Sequence, residues 1–62
     1  MDIIMELSEI KIGMSLYFWD EYDVECGRVI GFSHNGDVVL DVMGIETVIS
    51  PDCLYDNEAD AR

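Results

Sequence analysis

The feature that most constrains this chain is the stretch 14–50, where Val, Ile, Tyr and Phe run in short blocks separated by turn residues. That spacing is the signature of several short antiparallel strands, because β-branched and aromatic side chains pack on a pleated surface while Gly and Asn interrupt it. Residues 14–19 read as one strand, entered through Gly13, and 20–23 as an acidic loop. Residues 24–33 read as a second strand in which Gly27 and Gly31 mark a bulge, a bend or close backbone approach. His34-Asn35-Gly36 supplies a tight hairpin turn, since Asn-Gly tolerates the positive φ that such turns need. Residues 37–43 form the third strand, with Val38, Leu40 and Val42 on one face and Asp37, Val39, Asp41 and Met43 on the other. Gly44 then permits a sharp turn into a strand over 45–50, which Pro51 ends because it cannot donate to a ladder.

The two ends are read separately. Residues 3–7 are a candidate additional strand, and 8–13 form the approach to the sheet. Residues 51–55 suit a single 3₁₀ turn followed by a brief final strand. Residues 56–62 have helix-compatible composition but are too few to hold an isolated helix, so this tail is expected to be frayed or docked by contact.

The length allows a single domain over 1–62, with its core in 13–55. A chain of this size buries only about 60% of its unfolded surface, so disulfides, a metal or oligomerisation commonly support such folds. Cys26 and Cys53 are the only cysteines, and Met1–Leu7 is too short and too acidic for a secretory signal. Two reduced thiols in a soluble, cytoplasmic protein are therefore expected. His34 and two isolated cysteines give no metal-ligand spacing, and neither acidic run has the calcium-loop pattern, so no metal and no cofactor are predicted. Oligomerisation remains as the support, and a homo-oligomer is expected.

Fourteen carboxylates face three basic side chains, a formal charge of −11 at pH 7. Phosphate recognition depends on Lys and Arg, so direct binding to nucleic acid or to an anionic membrane surface is excluded. No apolar run is long enough to span a bilayer. Half of the residues are apolar, which separates the chain from disordered acidic tails. The acidity has three readings: selection of a basic protein partner, mimicry of nucleic acid, or solubility alone.

The order of strand, loop, three meandering strands and a Pro-containing turn resembles a small SH3-like β-barrel. The resemblance covers residues 13–55 and rests on Gly27-Arg28-Val29-Ile30-Gly31-Phe32, on Asn35-Gly36 with Val38 to Val42, and on Ser50-Pro51-Asp52-Cys53-Leu54-Tyr55. It implies an all-β fold, a small barrel of about five short antiparallel strands with a 3₁₀ turn near Pro51. The loop after Trp19 is shorter than the specificity loop of true SH3 domains, and no paired Trp follows in the second strand.

Strand alternation turns Tyr17, Trp19, Val39 and Met43 outward, with Val48 beside them, as a candidate apolar interface. The competing reading is that the N-terminal strand or the tail covers these residues within one chain. Asp20, Glu21, Asp23, Asp37 and Asp41 are the candidate carboxylates that select a basic partner. Tyr17, Trp19 and Tyr22 beside Asp20, Glu21 and Asp23 also suggest an aromatic cage for a cationic side chain, but aromatics packed in a minor core with solvated charges are the favoured account of them. No catalytic residue is predicted: His34 falls in a turn, neither Cys has a local activating partner, and no nucleophile, base and orienting group converge. The expected function is a non-enzymatic acidic protein-interaction module; the alternative is a nucleic-acid mimic that inhibits a DNA-binding protein.

Overall fold

A computed structural model describes residues 5–62. Four strands, β1 (Ser15–Trp19), β2 (Val24–Phe32), β3 (Val38–Val42) and β4 (Ile45–Ile49), pair antiparallel in one open sheet of order β1-β2-β3-β4. Two 3₁₀ turns, Leu7–Glu9 and Pro51–Cys53, precede and follow the sheet, and a one-turn helix α1 (Glu58–Ala61) closes the chain.

β2 is the longest strand and serves two neighbours. Its first half pairs with β1 from Trp19↔Val24 to Ser15↔Arg28, and its second half pairs with β3 from Arg28↔Asp41 to Phe32↔Val38. Within the second half the register shifts: Val29 faces Leu40 but Gly31 faces Val39, which leaves Ile30 as the extra residue of a bulge. A bulge bends its strand, so β2 turns the meander into a curved sheet with a concave inner side. Gly27 meets that inner side closely. A Cβ there would stand 2.9 Å from Val42 Cγ2 and 3.0 Å from the Leu40 Cβ, so the expected close approach is present.

The two later hairpins divide the turn chemistry differently from the sequence expectation. In the Ser33–Asp37 connection only Gly36 has positive φ, at 87°, and Asn35 does not. Ser33 organises this turn: its carbonyl accepts from Gly36 N–H, and its hydroxyl accepts from the N–H groups of Asn35 and Asp37. The two-residue turn with positive φ at both positions lies at Met43 (53°) and Gly44 (88°), closing the Val42↔Ile45 pair. That is the type I′ pattern, which favours Asn or Gly where this chain has Met. Asp41 steadies it by accepting from Gly44 N–H at 2.9 Å.

The concave side holds the core: Met5, Ile10, Leu16, Phe18, Val29, Val38, Leu40 and Leu54, with Met14, Val42 and Ile49 packed against it. Leu16, Phe18, Val38, Leu40 and Val42 thus face inward as the alternation predicts. Leu54 arrives from outside the sheet and is fully buried. It is delivered by the Pro51–Cys53 turn, whose N-cap Ser50 accepts from Asp52 N–H.

Two expectations change, and the choice left open for the tail is decided. Four strands form the sheet rather than five, because the brief final strand contracts to a single bridge, Tyr17↔Tyr55. Tyr55 and Tyr17 exchange both backbone hydrogen bonds (2.8 and 2.9 Å), after which the chain leaves for α1. The candidate strand over 3–7 lies partly outside the described residues; within them, Leu7 opens a 3₁₀ turn. The tail is docked: Ala61 is buried, and Asn57 caps α1 by accepting from Asp60 N–H.

Candidate functional site

A cleft of about 350 Å³ opens on the inner side of the sheet, lined by residues of the β1–β2 and β3–β4 hairpins. Phe18, Val42, Met43, Ile45 and Thr47 give it a mainly apolar lining, and Asp20 and Glu25 add two carboxylates. The positions follow from register. Phe18 and Glu25 are directly opposite on β1 and β2, and cross-strand partners share a face, so Glu25 points inward beside a core aromatic. Val42 and Ile45 are likewise opposite, flanking the strained turn that projects Met43, which is 90% exposed. Among the described residues neither Asp20 nor Glu25 takes part in an ion pair; the pairs present are Arg62 with Asp23 (3.0 Å) and Arg62 with Glu58 (2.8 Å). An apolar floor with two unpaired carboxylates suits the methylene stem and charged head of a Lys or Arg side chain.

The five residues expected as one apolar interface are separated by the fold. Val39 and Val48 do come together, directly opposite on the outer face of β3 and β4. Tyr17 and Trp19 share that face on β1, paired with Cys26 and Val24. Between the two groups runs a polar row, Ser15–Arg28–Asp41–Glu46, set by the registers of all four strands. Met43 sits in the turn rather than on the sheet.

The docked tail partly covers the β1 group, leaving Trp19 53% exposed. Trp19 Nε1 donates to the Ala61 carbonyl at 2.7 Å, and Arg62 reaches Asp23 in the loop after β1. Backbone donation from Val24 first, and then Arg62, hold the Asp23 carboxyl below its ordinary value. The Cys26 thiol opposite Tyr17 pushes the phenol up, chiefly by charge and by hydrogen bonding, with burial and the Glu58 carboxylate adding to it. Tyr22 is 91% exposed and packs on almost nothing, so the three aromatics do not converge into a cage.

The five acids expected to select a partner also have different fates. Asp20 lines the cleft. Asp23 is tied to Val24 and Arg62, and Asp41 caps the Met43–Gly44 turn. Asp37 follows the Ser33 turn at the far end of β3, and Glu21 is exposed in the loop. Glu25 is the acid that sequence reasoning missed. A signal existed: counting back by twos from buried Val29 through Gly27 places Glu25 on the inner face.

His34 is exposed in the Ser33 turn, and Cys26 and Cys53 are free and exposed. Among the described residues no three His, Cys, Asp or Glu side chains form a metal-binding group, and no helix is long and apolar enough to cross a membrane. Comparison with known protein families, curated proteins and solved structures found no match.

Proposed function

We propose that this chain is a non-enzymatic interaction module that binds a basic protein segment through the Asp20–Glu25 cleft. The observation that carries the reading is the pairing of an apolar floor with two carboxylates that have no cationic partner among the described residues. The rest of the surface reinforces it, because a charge of −11 draws cations toward the molecule and repels anionic partners. A cytoplasmic setting accords with two exposed, unbridged thiols. We further read the fold as an SH3-like barrel whose fifth strand is reduced to the Tyr17–Tyr55 bridge. The bend of β2 at Ile30 and the Tyr17–Tyr55 bridge on the outer edge of β1 support that reading.

Calorimetry with a short blocked peptide of alternating valine and lysine tests the function. The peptide binds, keeps measurable affinity at moderate salt, and loses about tenfold in the D20N/E25Q double variant, the equivalent of about 1.4 kcal/mol. Acetylating its lysines abolishes the interaction. Absence of binding overturns the proposal. Binding that vanishes at moderate salt and ignores the double variant also overturns it, in favour of a nucleic-acid mimic acting by charge alone.

A second reading, self-association, is favoured by the apolar pair Val39–Val48 on the outer face, where Val48 is 59% exposed. Sedimentation over a range of concentrations, alongside the calorimetry, distinguishes the two.

A further inference from the structure

The cleft adjoins a second feature of independent origin, the outer edge of β4. Among the described residues nothing pairs with that edge, since β4 ends the sheet order. In a hairpin closed by a two-residue turn, the pair flanking the turn exchanges backbone hydrogen bonds, and the exchange alternates along the strand. Ile45, Thr47 and Ile49 therefore bond to β3, while the N–H and C=O groups of Glu46 and Val48 point away from the sheet. Ile45 and Thr47, which turn their side chains inward, also line the cleft. One short strand thus offers a main-chain ladder on its edge and an acidic apolar pocket on its inner side.

We propose that the basic partner binds as an extended strand added to the edge of β4, with a Lys or Arg side chain entering the Asp20–Glu25 cleft. The proposal rests on the function proposed above and specifies the form of the ligand. Strand addition joins the two features by geometry. A partner residue opposite Thr47 or Ile45 shares their face and so projects into the cleft, while its neighbours face outward beside Glu46 and Val48. Backbone hydrogen bonds to Glu46 and Val48 supply affinity, and the inward cation supplies selection. Charge decides between occupants. A second copy would bring another −11 chain, with its own Asp20, Glu25 and Glu46, to the same seam, whereas a basic segment brings their complement.

Amide hydrogen exchange, followed by NMR on the full chain with the valine–lysine peptide, tests this directly. In the free protein the Glu46 and Val48 amides exchange quickly. Saturating peptide slows both by at least about tenfold, while Thr47, already bonded to β3, changes little. Val48→Pro removes an edge N–H that β3 does not use, so the fold persists and peptide affinity falls about tenfold; Val48→Thr retains the N–H and the affinity. Peptide binding that is weakened by D20N/E25Q but leaves both amides unprotected overturns strand addition and leaves the cleft reading standing. Absence of peptide binding overturns both. Slow exchange at these amides in the free protein also overturns the proposal: concentration-dependent slowing identifies a second copy on the edge, and concentration-independent slowing identifies a segment of the same chain.

Discussion

The two outer edges of the sheet have opposite fates. The edge of β1 is occupied by its own chain: Tyr55 bridges to Tyr17, Leu54 beside it is fully buried, and α1 places the Ala61 carbonyl on the Trp19 indole. The edge of β4 has no such cover among the described residues, and the side chains beside it (Met43, Ile45 and Val48) are the more exposed ones. Unpaired strand edges invite association, and proteins commonly blunt them with charge, brevity or a covering segment. Residues 54–62 cover one edge, while the other is short and guarded by Glu46, Glu25 and Asp20. The difference separates an edge closed by its own chain from one that is open among the described residues, the edge proposed above for a basic partner.

The largest expected effect comes from breaking the covered side. Leu54→Ala removes a fully buried side chain that anchors the returning segment against the sheet. Truncating a buried leucine costs about 2–5 kcal/mol, a large share of the stability of a domain this small. Denaturant unfolding will register the loss, and exchange at the Tyr17 and Tyr55 amides will accelerate with it. If the covering segment is only an appendage, Leu54→Ala costs less than about 1 kcal/mol and the two tyrosine amides stay protected.

Why the sequence showed the strands but not the site follows from the range of the interactions involved. Alternation in β1 and β3 is local and strong, so Leu16, Phe18, Val38 and Leu40 could be assigned inward from pattern alone. Gly27 and Gly31 were legible as special positions for the same reason. The turns were harder. Asn35-Gly36 carries the stronger type I′ signal, yet Met43-Gly44 adopts that geometry, because the register of β3 with β4 leaves only two residues to connect them. The outward apolar positions are divided for a related reason: whether Val39 neighbours Trp19 depends on two strand registers, β1 with β2 and β2 with β3, and those place Arg28 and Asp41 between them. The cleft joins residues from both hairpins, and the β2–β3 register, which lays Gly27 against Val42, sets them side by side. Phe18 and Val42 were assigned inward by alternation, and Glu25 was within the same reach through its phase with Val29.

A smaller change probes how tightly the tail seals the β1 edge. Trp19→Phe preserves an aromatic ring but deletes the donor to the Ala61 carbonyl. A neutral hydrogen bond of this kind contributes about 0.5–1.5 kcal/mol, and part of that is recovered when water solvates the exposed carbonyl. The expected result is a modest loss of stability with faster exchange at Ala61 and Arg62, whose N–H groups bond to Asn57 and Glu58. Peptide affinity stays unchanged, because Trp19 lies on the outer face of β1 whereas its neighbour Phe18 lines the cleft on the inner face. A Trp19→Phe variant that weakens peptide binding as much as D20N/E25Q does would show that the edges are not separate functional regions.

The smallest effect is an acid response confined to the same side. Donation from Val24 N–H and the nearby Arg62 guanidinium hold the folded Asp23 carboxyl below its ordinary value of 3.8. A depressed carboxyl contributes stability that is present above the unfolded value and is lost as pH falls through the folded one. Tail docking should therefore be intact at neutral pH and weaken below about pH 4. Arg62 adds no acid sensitivity of its own: Glu58 first, and then Asp23, raise its pKa, so its contribution is complete throughout this range. The ion pair is exposed, so solvent screening keeps the change small. Trp19 fluorescence, read from pH 7 to 2, should shift while the Leu16 and Leu40 methyl resonances still report an intact core. Arg62→Gln should flatten that early fluorescence change. A single transition in which Trp19 and the core move together would mean that the tail is part of the global fold, and that the β1 edge is closed as firmly as the interior of the sheet.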